Sequence, residues 1–133
     1  TRCDAYHCSI PAGTNPNRLF LGTGTNDPLG TAGGPALVNT FDRLGPAGEG
    51  YAWTTYPERL QDAGVDWRIY QDMADNYNDN PLAGFRQYRR QHEGSAGDAP
   101  LRDRALATRT LDDLARDVAQ GTLPAVSWII APT

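Results

Sequence analysis

A chain of 133 residues with a net charge of −4 has the length of one domain and no basic field that would draw it to nucleic acid. All 12 of its Lys/Arg cations are arginines, and no apolar run is long enough to cross a bilayer. Cys3 and Cys8 on one extended strand would stand roughly 16 Å apart on opposite faces, too far for the ~7 Å that a disulfide tolerates.

The chain opens on Cys3-Asp-Ala-Tyr-His-Cys-Ser9, which reads as a short buried strand with His7 held inside it. A small-residue turn follows, then a helix starting at Asn15-Pro16. Asn15 is expected to cap that helix with its side-chain oxygen, and Pro16 suits the first position because its missing N–H would be unpaired there anyway. Thr14 then sits at the mouth of a helix N-terminus, where free N–H groups and the positive end of the dipole favour a phosphate. Two readings of Thr14 stand side by side: a capping residue in an ordinary turn, and a hydroxyl poised for phosphoryl transfer. Arg18, one turn later on the same face, can clamp a phosphate oxygen or pair with an acid. Asn15 and Asn17 are near enough to orient a substrate.

Residues 22–35 are glycine-rich loop, and Asp27 stands where a dinucleotide-binding G-x-G-x-x-G would need its third glycine. Residues 36–53 carry no clear period and suit a hairpin or an extended excursion. Thr55 and Glu58 have capping-box spacing, Pro57 falls early in the helix they open, and Gly64 ends it. Val65, Trp67 and Ile69 alternate on one face of the next strand. Residues 72–80 are acidic and amide-rich but lack the spacing of a calcium loop. Asn80-Pro81 opens another helix, with Leu82, Phe85 and Arg89 along one side, and His92 falls at its polar end. Residues 100–108 form a short helix. Thr110 caps the last one, with Leu111, Leu114 and Val118 as its buried stripe and Gly121 as its stop. Val126-Ser-Trp-Ile129 is apolar on both faces, as a central parallel strand is. This order predicts an α/β sandwich built on a parallel-rich sheet. Ending on such a strand, where α/β proteins bind ligands, the chain reads as an internal segment of a larger domain. The aromatics Tyr51, Trp53, Tyr56 and Tyr77 fit core packing better than a cage for a quaternary ammonium.

Several motifs together, Cys3 to Ser9, Thr14-Asn-Pro-Asn-Arg-Leu19, Tyr51 to Leu60, Asp66 to Gln71, Asp79 to Phe85 and Leu123 to Pro132, resemble the bacterial phospholipase C and acid phosphatase family. The resemblance runs through nearly the whole chain in order. It implies an alkaline-phosphatase-like three-layer sandwich with a mostly parallel sheet, of which residues 1–133 are one part. It also implies hydrolysis of phospholipid phosphodiesters or of phosphomonoesters. In that family a Ser or Thr is both nucleophile and metal ligand, and the matching residue is Thr14, with Arg18, Asn15 and Asn17 beside it as substrate contacts. The divalent metal's other ligands come from a Glu-Asn pair and an Asp pair, and neither motif is among these residues. The resemblance therefore implies a segment that is silent alone, export to the periplasm or medium, and a phospholipid or phosphate-ester substrate. A non-catalytic module that keeps only the phosphate pocket is the alternative.

Overall fold

In a computed structural model, residues 5, 7–39, 49–89 and 99–132 are described. Helix α1 spans Thr14–Thr23, α2 Tyr56–Asp62, α3 Arg86–Arg89, α4 Ala99–Leu106 and α5 Leu111–Gln120. Strands β1 (Trp67–Tyr70) and β2 (Val126–Ile129) pair in parallel, with Trp67 opposite Val126 and Tyr70 opposite Ile129. Parallel neighbours need a long crossover, and here it is supplied by a 3-10 turn at Pro81–Gly84 followed by α3, α4 and α5. The α/β class expected from the sequence is therefore observed, with a small parallel sheet.

The register separates the two faces of the sheet. Trp67, Ile69 and Trp128 share one face, where the Trp128 ring meets Trp67 and, from α2, Tyr56, both near edge-on at 6.2 Å. Arg68 and Tyr70 share the other face and reach α5, where both bond the Asp117 carboxylate, at 2.7 and 2.6 Å. Helices thus flank the sheet on both sides. The strict alternation read for residues 65–69 is corrected at Tyr70, which is fully buried because α5 covers the second face. The hydroxyl of Tyr70 is what makes that burial tolerable: its hydrogen goes to a carboxylate rather than to nothing.

Local signals fix the helix ends. The Thr55 hydroxyl accepts the Glu58 N–H while Glu58 Oε2 accepts the Thr55 N–H at 2.7 Å, the reciprocal box its spacing predicted. The same hydroxyl lies 2.6 Å from the Tyr88 hydroxyl in the core. At α5, Asp113 Oδ2 accepts the Thr110 N–H, and Gly121 leaves the helix at φ 68°. Asn80 accepts the Leu82 N–H, but the helix expected there begins as a 3-10 turn and becomes α-helical only from Arg86. Fully buried Leu19, Leu82, Phe85, Trp67 and Tyr88 form the centre of the core and join α1, the 81–84 turn, β1 and α3.

Three expectations are corrected. Helix α1 opens at Thr14, with Gly13 as its cap, so Asn15 lies inside the first turn and caps nothing. Residues 7–9 form no strand, and His7 is exposed rather than buried; Cys3, Asp4 and Tyr6 of that segment fall outside the described residues, as do 40–48 of the expected excursion and His92. No residue of α5 is buried: Leu111 and Val118 are 51% and 59% exposed. A ten-residue helix is about 15 Å long, and two strands about 5 Å apart are too narrow to cover its whole apolar stripe. Strand β2, read as central, pairs on one side only among the described residues, and Ile129 is half exposed.

Candidate functional site

The turn before α1 is built by one side chain. Asn17 Oδ1 accepts the Ile10 N–H at 3.2 Å. Its Nδ2 lies 3.2, 3.1 and 3.0 Å from the carbonyl oxygens of Ile10, Ala12 and Gly13. An amide has two hydrogens, so three acceptors already exceed its capacity. Asn17 is thereby committed to shaping the turn, and a substrate would have to compete with the backbone for it.

The turn delivers Thr14 to the first position of a ten-residue helix with its side chain exposed. Its hydroxyl and its N–H meet no hydrogen-bond partner among the described residues. The other first-turn donors are accounted for. Pro16 has none, the Asn17 N–H reaches the Gly13 carbonyl at a long 3.5 Å, and the Asn15 N–H donates to Asn39 Oδ1 at 2.9 Å. Among the described residues the expected array of free N–H groups is thus reduced to those of Gly13 and Thr14. Thr14 opens into a surface depression of about 670 Å³, bordered also by His7, Cys8, Ser9 and Arg18.

Arg18 follows one turn on and takes the second of its two sequence readings: Nη2 pairs with Asp79 Oδ2 at 2.6 Å, with both side chains partly exposed. Its Nε is buried with no partner. Asp79 lies 61 positions away, which is why no local pattern pointed to it. Asn15 is buried, and its carboxamide makes no hydrogen bond to the described residues, so of the three candidate contacts it is the least committed. The structure brings Thr14 and Arg18 to one depression and spends Asn17 on the turn. It brings His7, read from the sequence as a buried strand residue, to the rim of that depression, and it adds one residue the sequence did not suggest, Asn39, which sits in a stretch with no periodicity at all.

The aromatics do not converge on this depression. Tyr51, Trp53 and Phe85 pack on one another with ring centres 4.7 to 5.5 Å apart, Tyr56 meets Trp128, and Tyr77 is 80% exposed. Among the described residues no three His, Cys, Asp or Glu side chains are grouped to hold a metal ion. No described helix is long and apolar enough to cross a membrane. Two perturbed groups serve packing. Tyr88 is pushed well up by burial, and Asp117 is held below the ordinary carboxylate value, chiefly by the Tyr70 hydroxyl.

An α/β framework that presents an unpartnered hydroxyl at the start of a helix has the parts that phosphoryl-transfer chemistry asks of a scaffold. The chain belongs to the Phosphoesterase family, whose family model matches residues 1–133. It is similar to a non-hemolytic phospholipase C of Pseudomonas aeruginosa, 64% identical over 132 residues, which covers 99% of this chain and 18% of that protein. A non-hemolytic phospholipase C of Burkholderia pseudomallei is 45% identical over 99% of this chain and 21% of its own length. Phospholipase C A of Mycobacterium tuberculosis is 36% identical over 98% and 25%. The chain thus spans 18% to 25% of the length of these relatives.

Proposed function

We propose that this chain is the nucleophile-bearing segment of a longer phosphoesterase of phospholipase C type, with Thr14 as the nucleophile. The observation that carries the reading is the Thr14 hydroxyl. It is exposed, unpartnered and first in α1, it faces an open depression, and its own N–H is also uncommitted. The names of the relatives supply the substrate class, a phospholipid phosphodiester.

The chemistry is in-line displacement. A bond forms between Thr14 Oγ and phosphorus as the bond from phosphorus to the leaving oxygen breaks. The threonine proton is given up, and the departing oxygen takes one. Water then attacks the phosphothreonine and releases Thr14 with its proton restored. The helix end favours the negative charge that gathers on the phosphoryl oxygens, and the Thr14 N–H is the donor positioned to meet one of them. Arg18 lies one turn away with its charge offset by Asp79. A free threonine hydroxyl is a weak nucleophile at neutral pH and needs activation. A divalent metal would lower its pKa and offset charge on the phosphoryl group. The described residues do not form a cage for one, and Thr14 is the one among them that would serve as a ligand. In this reading the remaining ligands lie elsewhere in the parent-length protein, the isolated segment is silent, and the enzyme works outside the cytoplasm, where phospholipid surfaces are accessible.

Thr14→Val in the parent-length protein tests this with a chromogenic phosphodiester and added divalent metals. Loss of turnover with an unchanged unfolding midpoint is the expected outcome. Near-normal turnover would remove Thr14 from the chemistry.

A further inference from the structure

Asn39 holds the start of α1 from outside the helix. Its Oδ1 accepts the Asn15 N–H at 2.9 Å across 24 residues of sequence. Gly13, the cap residue, has no side chain to do this, and Pro16 has no N–H to help order the turn. A Cβ placed on Gly13 would come 2.6 Å from that same Oδ1, so the carboxamide occupies the space a larger cap residue would need.

The loop that delivers Asn39 is itself pinned. The Asp27 carboxylate accepts the N–H groups of Thr31, Ala32 and Gly34. Asn26 exchanges bonds with Ala36, its carbonyl accepting the Ala36 N–H at 2.9 Å and its Nδ2 donating to the Ala36 carbonyl at 3.2 Å. Asn39 follows three residues later. Asn17 therefore fixes the Thr14 turn from inside α1, and Asn39 holds it from a braced loop outside the helix.

We propose that Asn39 is a positioning residue for Thr14. By occupying the Asn15 N–H it sets the conformation of the Gly13–Asn15 backbone and leaves the Thr14 N–H as the donor facing the phosphoryl group. This inference rests on Thr14 being the nucleophile. It adds that the aim of the Thr14 hydroxyl is set by a neutral acceptor from a distant loop. Displacements on the ångström scale can cost orders of magnitude in such a reaction, whereas a cap that only stabilised the fold would change how much protein is folded and not how fast a folded molecule reacts.

The test is the single-turnover rate constant for release of p-nitrophenol from a p-nitrophenyl phosphodiester, with parent-length enzyme in saturating excess. That constant reports formation of the Thr14 adduct and does not depend on the folded fraction. Asn39→Ala is expected to lower it roughly tenfold. Gly13→Ala, which pushes the carboxamide away without altering it, is expected to lower it similarly. Asn39→Asp, which keeps the acceptor, should return it to within about threefold of wild type at saturation. Wild-type rate constants in both Asn39→Ala and Gly13→Ala would overturn the assignment, even if less protein folds. Thr14→Val is the control for the premise: release that survives it removes the nucleophile reading, whereas abolished release beside normal Asn39→Ala kinetics removes only the role of Asn39.

Discussion

Replacing Asn17 with Asp separates its two possible roles. Aspartate is nearly isosteric and can still accept the Ile10 N–H, but it loses both amide hydrogens that now serve the carbonyls of Ile10, Ala12 and Gly13. Each hydrogen bond of this partly solvated kind contributes a net ~0.5–1.5 kcal/mol, so two amount to about 2 kcal/mol. A carboxylate in the first turn recovers about 0.5 kcal/mol from the helix dipole. The expected net loss is about 1.5 kcal/mol for closing the 10–13 turn, which is roughly a tenfold faster exchange of the Ile10 amide if that turn opens locally. Protonating the new carboxyl returns one donor, so the loss should shrink as pH falls below its pKa. The assay is amide exchange on parent-length protein at two pH values, paired with KM for the diester. A turn-holding Asn17 predicts faster exchange at Ile10 with kcat falling and KM changing little. Unchanged exchange together with a raised KM would refute that reasoning and return Asn17 to direct substrate contact.

Thr55→Val keeps the shape of a fully buried residue while removing the α2 cap and the partner of the Tyr88 hydroxyl. Lost capping and a stranded phenol together should cost about 2–3 kcal/mol in chemical denaturation of the parent-length protein, and a loss under 0.5 kcal/mol would deny the network any stabilising role. The Asp27 carboxyl is held below its ordinary value of 3.8, first by the Ala32 N–H and against the opposing effect of burial. Because its folded pKa is depressed, its contribution is complete above the ordinary value and disappears as pH falls through the folded pKa. Protection of the Ala32 and Gly34 amides, relative to their intrinsic exchange rates at each pH, should therefore be lost only on strong acidification, and a loss of protection on going from pH 7 to pH 5 would contradict the assignment. Tyr70→Phe removes the chief cause of the lowered Asp117 pKa, so a carboxyl NMR titration should show that pKa rise, and no movement would mean Arg68 and Thr122 suffice.

Much of this molecule was legible in the chain because its causes are local. Thr55 with Glu58, Thr110 with Asp113, and the glycines 64 and 121 lie within a turn of what they cap or stop, so spacing alone announces α2 and α5. The same holds for Thr14, which a Pro and two Asn residues place near a helix start, although the cap itself moved to Gly13. What the sequence by itself determined is therefore α2, α5 and the two paired strands, the α/β class and the hydroxyl at the head of α1. Tertiary structure decided the rest. Arg18 chose Asp79 across 61 positions, and the Asn15 N–H found Asn39 across 24. Tyr70 was buried by a helix that begins 41 residues after it. Each of these pairings depends on a distance in space between groups whose separation along the chain carries no period, so only the folded backbone can bring them within hydrogen-bonding reach.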